Sequence, residues 1–287
     1  MLPSPIDFTK LNSAGNDFVC VDNTTGRFTP LLENPQILAK TIKAICRRGL
    51  AVGADGVVFA CQIGDGAGID IVARFFEPDG SEAKLCGNGT ACFTYWAIHA
   101  GLVPGPAVTI LTGAGTAQGR VDDEDPQRIR VCVPDPRNLA MDVSVDLHGD
   151  LWTLDLVDTG VPHAIAYVEH LDTLDLDFWG SGIRHHPHFG KAGVNANFVH
   201  VEAVGHISVR TFEFGVEAET LACGTGSAAA AILTALRHQW PDEYRRGERP
   251  VKVTVRSGDQ LLIWFVCDDG QNVHNVCLES VVRPVYN

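Results

Sequence analysis

Residues 82–91 read E-A-K-L-C-G-N-G-T-A and residues 219–228 read E-T-L-A-C-G-T-G-S-A, so a Glu, a Cys, two Gly, a Ser/Thr and an Ala recur at one constant offset. Each copy leads into a small or apolar run with helical character, residues 90–100 and 227–236, which puts Cys86 and Cys223 at helix N-termini behind Gly-rich turns. A second match supports duplication. Val108-Thr109-Ile110 followed by Gly113 resembles Val253-Thr254-Val255 followed by Gly258, each a strand pattern downstream of its helix. A repeat of this length predicts two similar domains rather than a solenoid of short units.

The chemistry of the repeat follows from its placement. A helix N-terminus offers unpaired backbone N–H groups and partial positive charge, which favour an anion and a thiolate. Glycines beside each Cys would let the backbone approach a ligand closely. Two such ends suit inversion at a carbon α to a carboxylate: one thiolate removes the α-proton and the other thiol delivers a proton to the opposite face. Negative charge developing at the carboxylate would be stabilised by the amides, with no cofactor. A lone Cys is most often a buried small residue, but packing alone gives little reason for the whole set to recur.

Composition narrows the partners. At 287 residues the chain can hold two domains with cores of their own. Its formal net charge of −13 argues against nucleic acid or an anionic membrane surface and for a small-molecule ligand. No stretch approaches a membrane span, and Met1–Pro5 lacks a basic segment leading into an apolar one, so the expected compartment is the cytoplasm. Nine cysteines without a C-x-x-C pair are expected to be reduced; Cys20, Cys46, Cys61, Cys132 and Cys277 fall in apolar runs and read as buried thiols. His185, His186 and His188 read as a solvated loop, and no metal is expected. Gly113, Gly115 and Gly119 miss the dinucleotide spacing, and neither a P-loop nor a G-x-S-x-G elbow exists.

Along the chain, strands are predicted at 6–12 and 17–22, then a helix at 34–48 with Asn34 as cap, Pro35 at the first position and Gly49 at its end. Strands at 57–61 and 69–76 flank a Gly-rich turn at 64–68, and strands at 107–112 and 127–133 follow the first repeat. Pro134-Asp135-Pro136 breaks any regular element and marks a boundary. It divides the chain into residues 1–134, with a return segment at about 280–287, and residues 135–279. In the second half, strands are predicted at 141–147, 151–157, 164–168, 194–201, 210–214, 251–256, 261–266 and 276–283, with 170–192 irregular and polar.

Several motifs together resemble the diaminopimelate epimerase family of cofactor-independent two-cysteine isomerases. They are Ala14-Gly15-Asn16-Asp17-Phe18, Val52-Gly53-Ala54-Asp55-Gly56, Pro78 to Glu82 running into Cys86-Gly87-Asn88-Gly89, Thr159 to His163, Val194 to Phe198, and Glu219 to Gly226. The resemblance implies an α+β fold of two similar domains, each a strongly curved mixed or antiparallel sheet around a central helix, with the active site in the cleft and a returning C-terminal strand. It implies that Cys86 and Cys223 are the acid and base. It also implies that Gly87, Asn88, Gly224 and Thr225 hold the reacting carboxylate through their backbone, and that Asn16 and Asn195 bind substrate. His163 and Glu213 would lie beside the reacting ammonium.

Three positions depart from the family pattern. Glu77 stands where Asn is typical, Phe214 replaces the Arg after Glu213, and Val161 replaces an Asn found in many members. Loss of Arg removes a bidentate fork for a distal carboxylate. The leading expectation is conversion of L,L- to meso-diaminopimelate, as in the lysine and peptidoglycan precursor pathway. The alternatives are a racemase for another amino acid, with Glu77, Val161 and Phe214 setting specificity, and a carboxylate-binding protein without catalysis. A homodimer is compatible with the sequence.

Overall fold

The computed structural model describes residues 5–63, 68–268 and 272–286, so the turn read at 64–68 lies outside the described residues except for Gly68. Two compact units emerge, one of residues 1–132 with 279–287 and one of residues 133–278.

In the first unit, β1 (Thr9–Ser13) pairs antiparallel with β2 (Asn16–Asn23). A short helix α1 (Thr29–Leu32) precedes α2 (Pro35–Cys46), whose start is fixed by the Asn34 side chain accepting from the Ile37 N–H at 3.2 Å. Gly49, at φ 76°, follows the helix in the conformation only glycine adopts cheaply. Next, β3 (Gly56–Cys61) lies parallel to β2 and antiparallel to β4 (Ile71–Phe76), which also pairs with the two-residue β5 (Glu82–Ala83). After helix α3 (Gly87–His99), β6 (Ala107–Thr112) runs parallel to β4, and β7 (Gly115–Val121) and β8 (Arg128–Cys132) continue antiparallel. The C-terminal strand Val273–Tyr286 pairs with both β8 and β1, so eight strands close on themselves.

Closure needs a filling, and α3 supplies it. Its residues Gly87 to Thr94, with Trp96 and Ala97, are buried on all sides, as expected of a helix surrounded by strands. Gly119 of β7 lets the wall approach: a Cβ there would lie 2.1 Å from Thr94 Oγ1. The glycines of this segment give it the look of a loop in the sequence, yet Ala117, Gly119 and Val121 alternate inward as a strand.

The second unit repeats the plan. Strands β9 (Arg137–Leu147), β10 (Asp150–Asp158) and β11 (Pro162–Tyr167) are antiparallel neighbours. Helix α4 (Leu176–Arg184) occupies the stretch read as irregular. Its Asp175 cap accepts from the Phe178 N–H at 3.0 Å, and Gly180 is there because a Cβ would meet Phe212 Cβ at 2.5 Å. Two glycines in nine residues hid this helix from propensity.

Beyond it, β12 (Asn195–Ala203) runs parallel to β11, β13 (His206–Glu213) antiparallel to β12, and β14 (Ala218–Thr220) antiparallel to β13. Helix α5 (Gly224–Arg237) is buried from Gly224 to Ala235, and a short α6 (Asp242–Arg245) follows it. Then β15 (Val251–Thr254) runs parallel to β13, with β16 (Gln260–Cys267) antiparallel to it. The order of one parallel pair, two antiparallel steps, a buried helix and a second parallel pair occurs in both units, which makes this an α+β fold of two similar domains.

One expectation fails. Cys132 and Cys277 are disulfide-bonded, not reduced core thiols. They are far apart in sequence, and apolar surroundings alone give no sign of the bond. No helix among the described residues is long and apolar enough to cross a membrane.

Candidate active site

Cys86 is the N-cap of α3, extended at φ −136° and ψ 118°, and its Sγ accepts the Gly89 N–H at 3.4 Å. The Gly87 and Asn88 N–H groups, first in the helix, have no carbonyl one turn back to bond. Gly89 itself serves packing rather than ligand approach, since a Cβ would meet Phe18 at 3.1 Å and Phe75 at 3.2 Å.

A directional chain of side chains leads to this helix end. Asp55 accepts from Asn16 Nδ2 at 3.4 Å and from the Asp17 N–H at 3.1 Å. A carboxylate can only accept here, so the Asn16 nitrogen faces Asp55 and its oxygen faces Asn88 Nδ2, 2.6 Å away. Among the described residues the Asn88 oxygen is a buried acceptor with no hydrogen-bond partner, a state that costs about 1–3 kcal/mol until an N–H arrives. Arg48 bonds Asp17 and Asp55, and Lys10 bonds Asp17 at 2.8 Å. Burial opposes charge on Asp17, but the Arg48 and Lys10 bonds outweigh it and hold the carboxyl below its usual range. Asp55 and Arg48 were not singled out in the sequence, although Asp55 stands in a quoted motif; an acidic residue before Gly gives no local sign of a partner at Asn16.

Cys223 is the N-cap of α5 at φ −125° and ψ 111°, and its Sγ accepts the Gly226 N–H at 3.4 Å. The two cysteines thus share one local geometry in the two units, and both are thiols. Burial pushes the Cys223 thiol up to about 12, helped by the Glu213 carboxylate and opposed by Thr225 and the helix N–H groups. The expected lowering by the helix end is present, but desolvation exceeds it.

His163 is 1% exposed, with Nε2 3.0 Å from Thr225 Oγ1 and Nδ1 3.1 Å from Asn197 Nδ2. Burial pushes its imidazole down to about 3, so it is neutral. Asn195, also buried, donates to the Pro162 carbonyl at 3.1 Å and accepts the Phe214 N–H at 2.8 Å, leaving one amide proton. Thus His163, Glu213, Thr225 and Cys223 meet in one unit, while Asn16, Asn88 and Cys86 meet in the other.

The family described as diaminopimelate epimerase matches residues 8–136 and 156–279 of this chain. The chain belongs to the diaminopimelate epimerase family. A diaminopimelate epimerase of Chlorobaculum tepidum is 34% identical over 280 residues, spanning 96% of this chain and 98% of that protein. One from Aquifex aeolicus is 34% identical over 285 residues, spanning 98% and 96%. Among solved structures, a probable proline racemase from Agrobacterium radiobacter K84 has a TM-score of 0.74 at 15% identity, covering 98% of this chain and 92% of that one. A hydroxyproline epimerase from Agrobacterium vitis has a TM-score of 0.72 at 13% identity, covering 97% and 89%. At such identities these two establish the fold alone. Membership of the diaminopimelate epimerase family makes the chain an isomerase of the amino-acid epimerase and racemase class, and the reading as a binding protein without catalysis gives way.

At the three positions that depart from the diaminopimelate epimerase pattern, the surroundings are specific. Phe214 is 51% exposed, and the Arg184 guanidinium stands 4.3 Å from its ring centroid. Arg184 is buried and committed, through Nε and Nη2 to Glu217 at 3.2 and 3.0 Å and through Nη1 to the Ala192 carbonyl at 2.8 Å. Val161 is half-buried, its carbonyl accepting the Thr159 N–H at 3.2 Å.

Glu77 is half-buried at the turn that packs Gly80 against Ala39. Burial, and then the charges of Asp79 and Asp55, raise its carboxyl from 4.5 to about 7. A group whose folded pKa is raised contributes stability below the unfolded value and loses it as pH rises through the folded one. Stability should therefore fall between pH 4.5 and 7, and Glu77→Gln should remove that fall. In urea titrations the variant's advantage is expected to grow by about 1–3 kcal/mol from pH 4.5 to pH 8; an advantage independent of pH would contradict this account of Glu77.

Proposed function

We propose that this chain inverts the α-carbon of a free amino acid without a cofactor, using Cys86 and Cys223 as acid and base, with L,L- to meso-diaminopimelate as the principal reaction. The observation that carries the reading is the matched pair of N-cap cysteines, each sulfur accepting the third N–H of a buried helix. One thiolate takes the α-proton from one face as the C–H electron pair passes into the carboxylate system. The other thiol then gives its proton to the opposite face, so the product is the epimer and the two sulfurs exchange protonation states. Helix N–H groups of Gly87, Asn88, Gly224 and Thr225 would stabilise the developing charge. The unpartnered Asn88 oxygen suits a substrate ammonium.

The diaminopimelate assignment draws on near-full-length relatives of that name. A broader specificity is favoured by Phe214, which offers no donor to a distal carboxylate, and by Arg184, whose bonds are taken up by Glu217 and Ala192. Arg210 is likewise committed, bonding Glu219 at 2.7 and 2.8 Å. Glu77, titrating near neutrality, repels a distal carboxylate less below pH 7 than an ordinary glutamate would.

Incubation in heavy water should place deuterium at the α-carbon of diaminopimelate. Lysine, which lacks the distal carboxylate, should follow within about a hundredfold in kcat/KM, the worth of one charge-assisted pair. A preference for diaminopimelate of about a thousandfold or more would show that another group grips the distal carboxylate. No exchange with any amino acid would overturn the reaction itself.

A further inference from the structure

We propose that Asn197 and His163 are positioning residues that hold the Thr225 hydroxyl as a hydrogen-bond donor to the Cys223 sulfur, and so set the reactivity of that thiol. The inference deepens the reading of Cys223 as a proton-transferring group and rests on it for its catalytic meaning.

The direction of the relay can be worked out atom by atom. Asn197 is fully buried, and its Nδ2 lies 3.1 Å from the Ala164 carbonyl and 3.3 Å from the Asn195 carbonyl. Carbonyls only accept, so the nitrogen end of the amide must face them, and Thr211 Oγ1 donates to the oxygen end at 3.0 Å. The same Nδ2 faces His163 Nδ1 at 3.1 Å, which must therefore be the accepting nitrogen. In a neutral imidazole the proton then sits on Nε2 and is donated to Thr225 Oγ1 at 3.0 Å. An oxygen that accepts from His163 keeps its own proton for another acceptor, and Cys223 Sγ lies 3.5 Å away.

Two further contacts and the burial of His163 lock the arrangement. Thr159 Oγ1 donates to the Thr225 carbonyl at 3.0 Å, fixing the first turn of α5. A Cβ at Gly226 would lie 2.4 Å from Asn197 Oδ1, so the helix end rests directly on this amide. Burial keeps His163 uncharged, so it donates without taking the sulfur's proton.

The purpose follows from what surrounds the sulfur. The Glu213 carboxylate opposes a thiolate at Cys223, and the His163 imidazole, which reaches the sulfur only through the Thr225 hydroxyl, stays neutral. A hydroxyl aimed at the sulfur counters that opposition, because an O–H bond to an anion is stronger than one to a neutral thiol. In the first helix the matching position is Asn88, whose amide belongs to a different chain of bonds. The two cysteines therefore share a backbone setting but differ in the side chain that follows, an asymmetry that the repeat conceals.

The test is the pH dependence of Cys223 alkylation by iodoacetamide, followed by peptide mass spectrometry on the intact folded chain. It needs no turnover, so it stands apart from failure of the proposed reaction. Thr225→Val, which keeps the shape and deletes the hydroxyl, should move the alkylation midpoint up by about one pH unit, and Thr225→Ser should restore it. Asn197→Asp should reverse the tautomer and give the same upward shift, but add nothing in the Thr225→Val background. The tautomer is read independently, from 15N shifts of His163 in the unaltered protein, which should show Nε2 protonated. A midpoint unmoved by Thr225→Val, an equal Asn197→Asp shift with and without the hydroxyl, or an Nδ1-protonated His163 would each overturn the proposal.

Discussion

Replacing either Cys86 or Cys223 by Ala should lower the rate of inversion by about a thousandfold or more while leaving the fold intact. General acid or base help from a positioned side chain is worth about 10²–10⁴, and inversion uses both roles on opposite faces in a single turnover. Neither thiol can do both jobs. A variant that keeps only one sulfur can still withdraw the α-proton from one enantiomer and return a solvent-exchanged proton to the same face. Deuterium should therefore enter one enantiomer without inversion, and each variant should choose the opposite enantiomer. Fold retention is expected because the side-chain cap that each sulfur gives its helix, an N–H···S contact at 3.4 Å, is worth roughly 1 kcal/mol. A single variant that still inverts at near the parent rate would remove the acid–base pair from the mechanism.

The parts of this site that could be read from the sequence are those whose cause is local. Asn34 and Pro35 announce the start of α2 because a cap and a fixed φ act within three residues. The cysteines announce themselves because the repeated Cys-Gly-x-Gly carries the same N-cap geometry into both units. What escaped has causes elsewhere in the fold. Gly119 and Gly180 look like loop residues until Thr94 and Phe212 are seen to fill the space a side chain would take. Asn197 lies in a quoted motif, yet its role exists only where β11 and β12 run side by side in register and set His163 against Asn195. Arg184 at the Phe214 ring answers to no local rule, because helix α4 itself was hidden by its glycines.

Arg237→Met should cost about 3–5 kcal/mol of stability, the largest loss expected from a single change outside the cores. Arg237 ends α5, the helix whose other end carries Cys223. Its guanidinium reaches Asp155 at 2.7 and 2.6 Å and Asp142 at 2.6 Å, while Asp155 Oδ1 also accepts the Asp142 N–H at 3.0 Å. The Asp155 side chain is fully buried, so removing Arg237 strands a carboxylate that water cannot reach, and that desolvation dominates the loss. Met is chosen because it keeps an unbranched apolar stem while deleting the guanidinium, which stands 5.4 Å from the Tyr167 ring centroid. Two consequences separate this explanation from a simple loss of packing. An orphaned buried carboxylate relieves itself by taking up a proton, so the gap between parent and variant should narrow as pH falls from 7 to 4. Adding Asp155→Leu to Arg237→Met should recover much of the loss, since two apolar groups replace two charges and the Asp142 N–H alone gives up the Asp155 acceptor described above. Urea titrations of the three proteins at both pH values decide the matter. A gap that stays constant with pH, or a double variant less stable than Arg237→Met alone, would mean that the helix is held by contacts other than this ion pair.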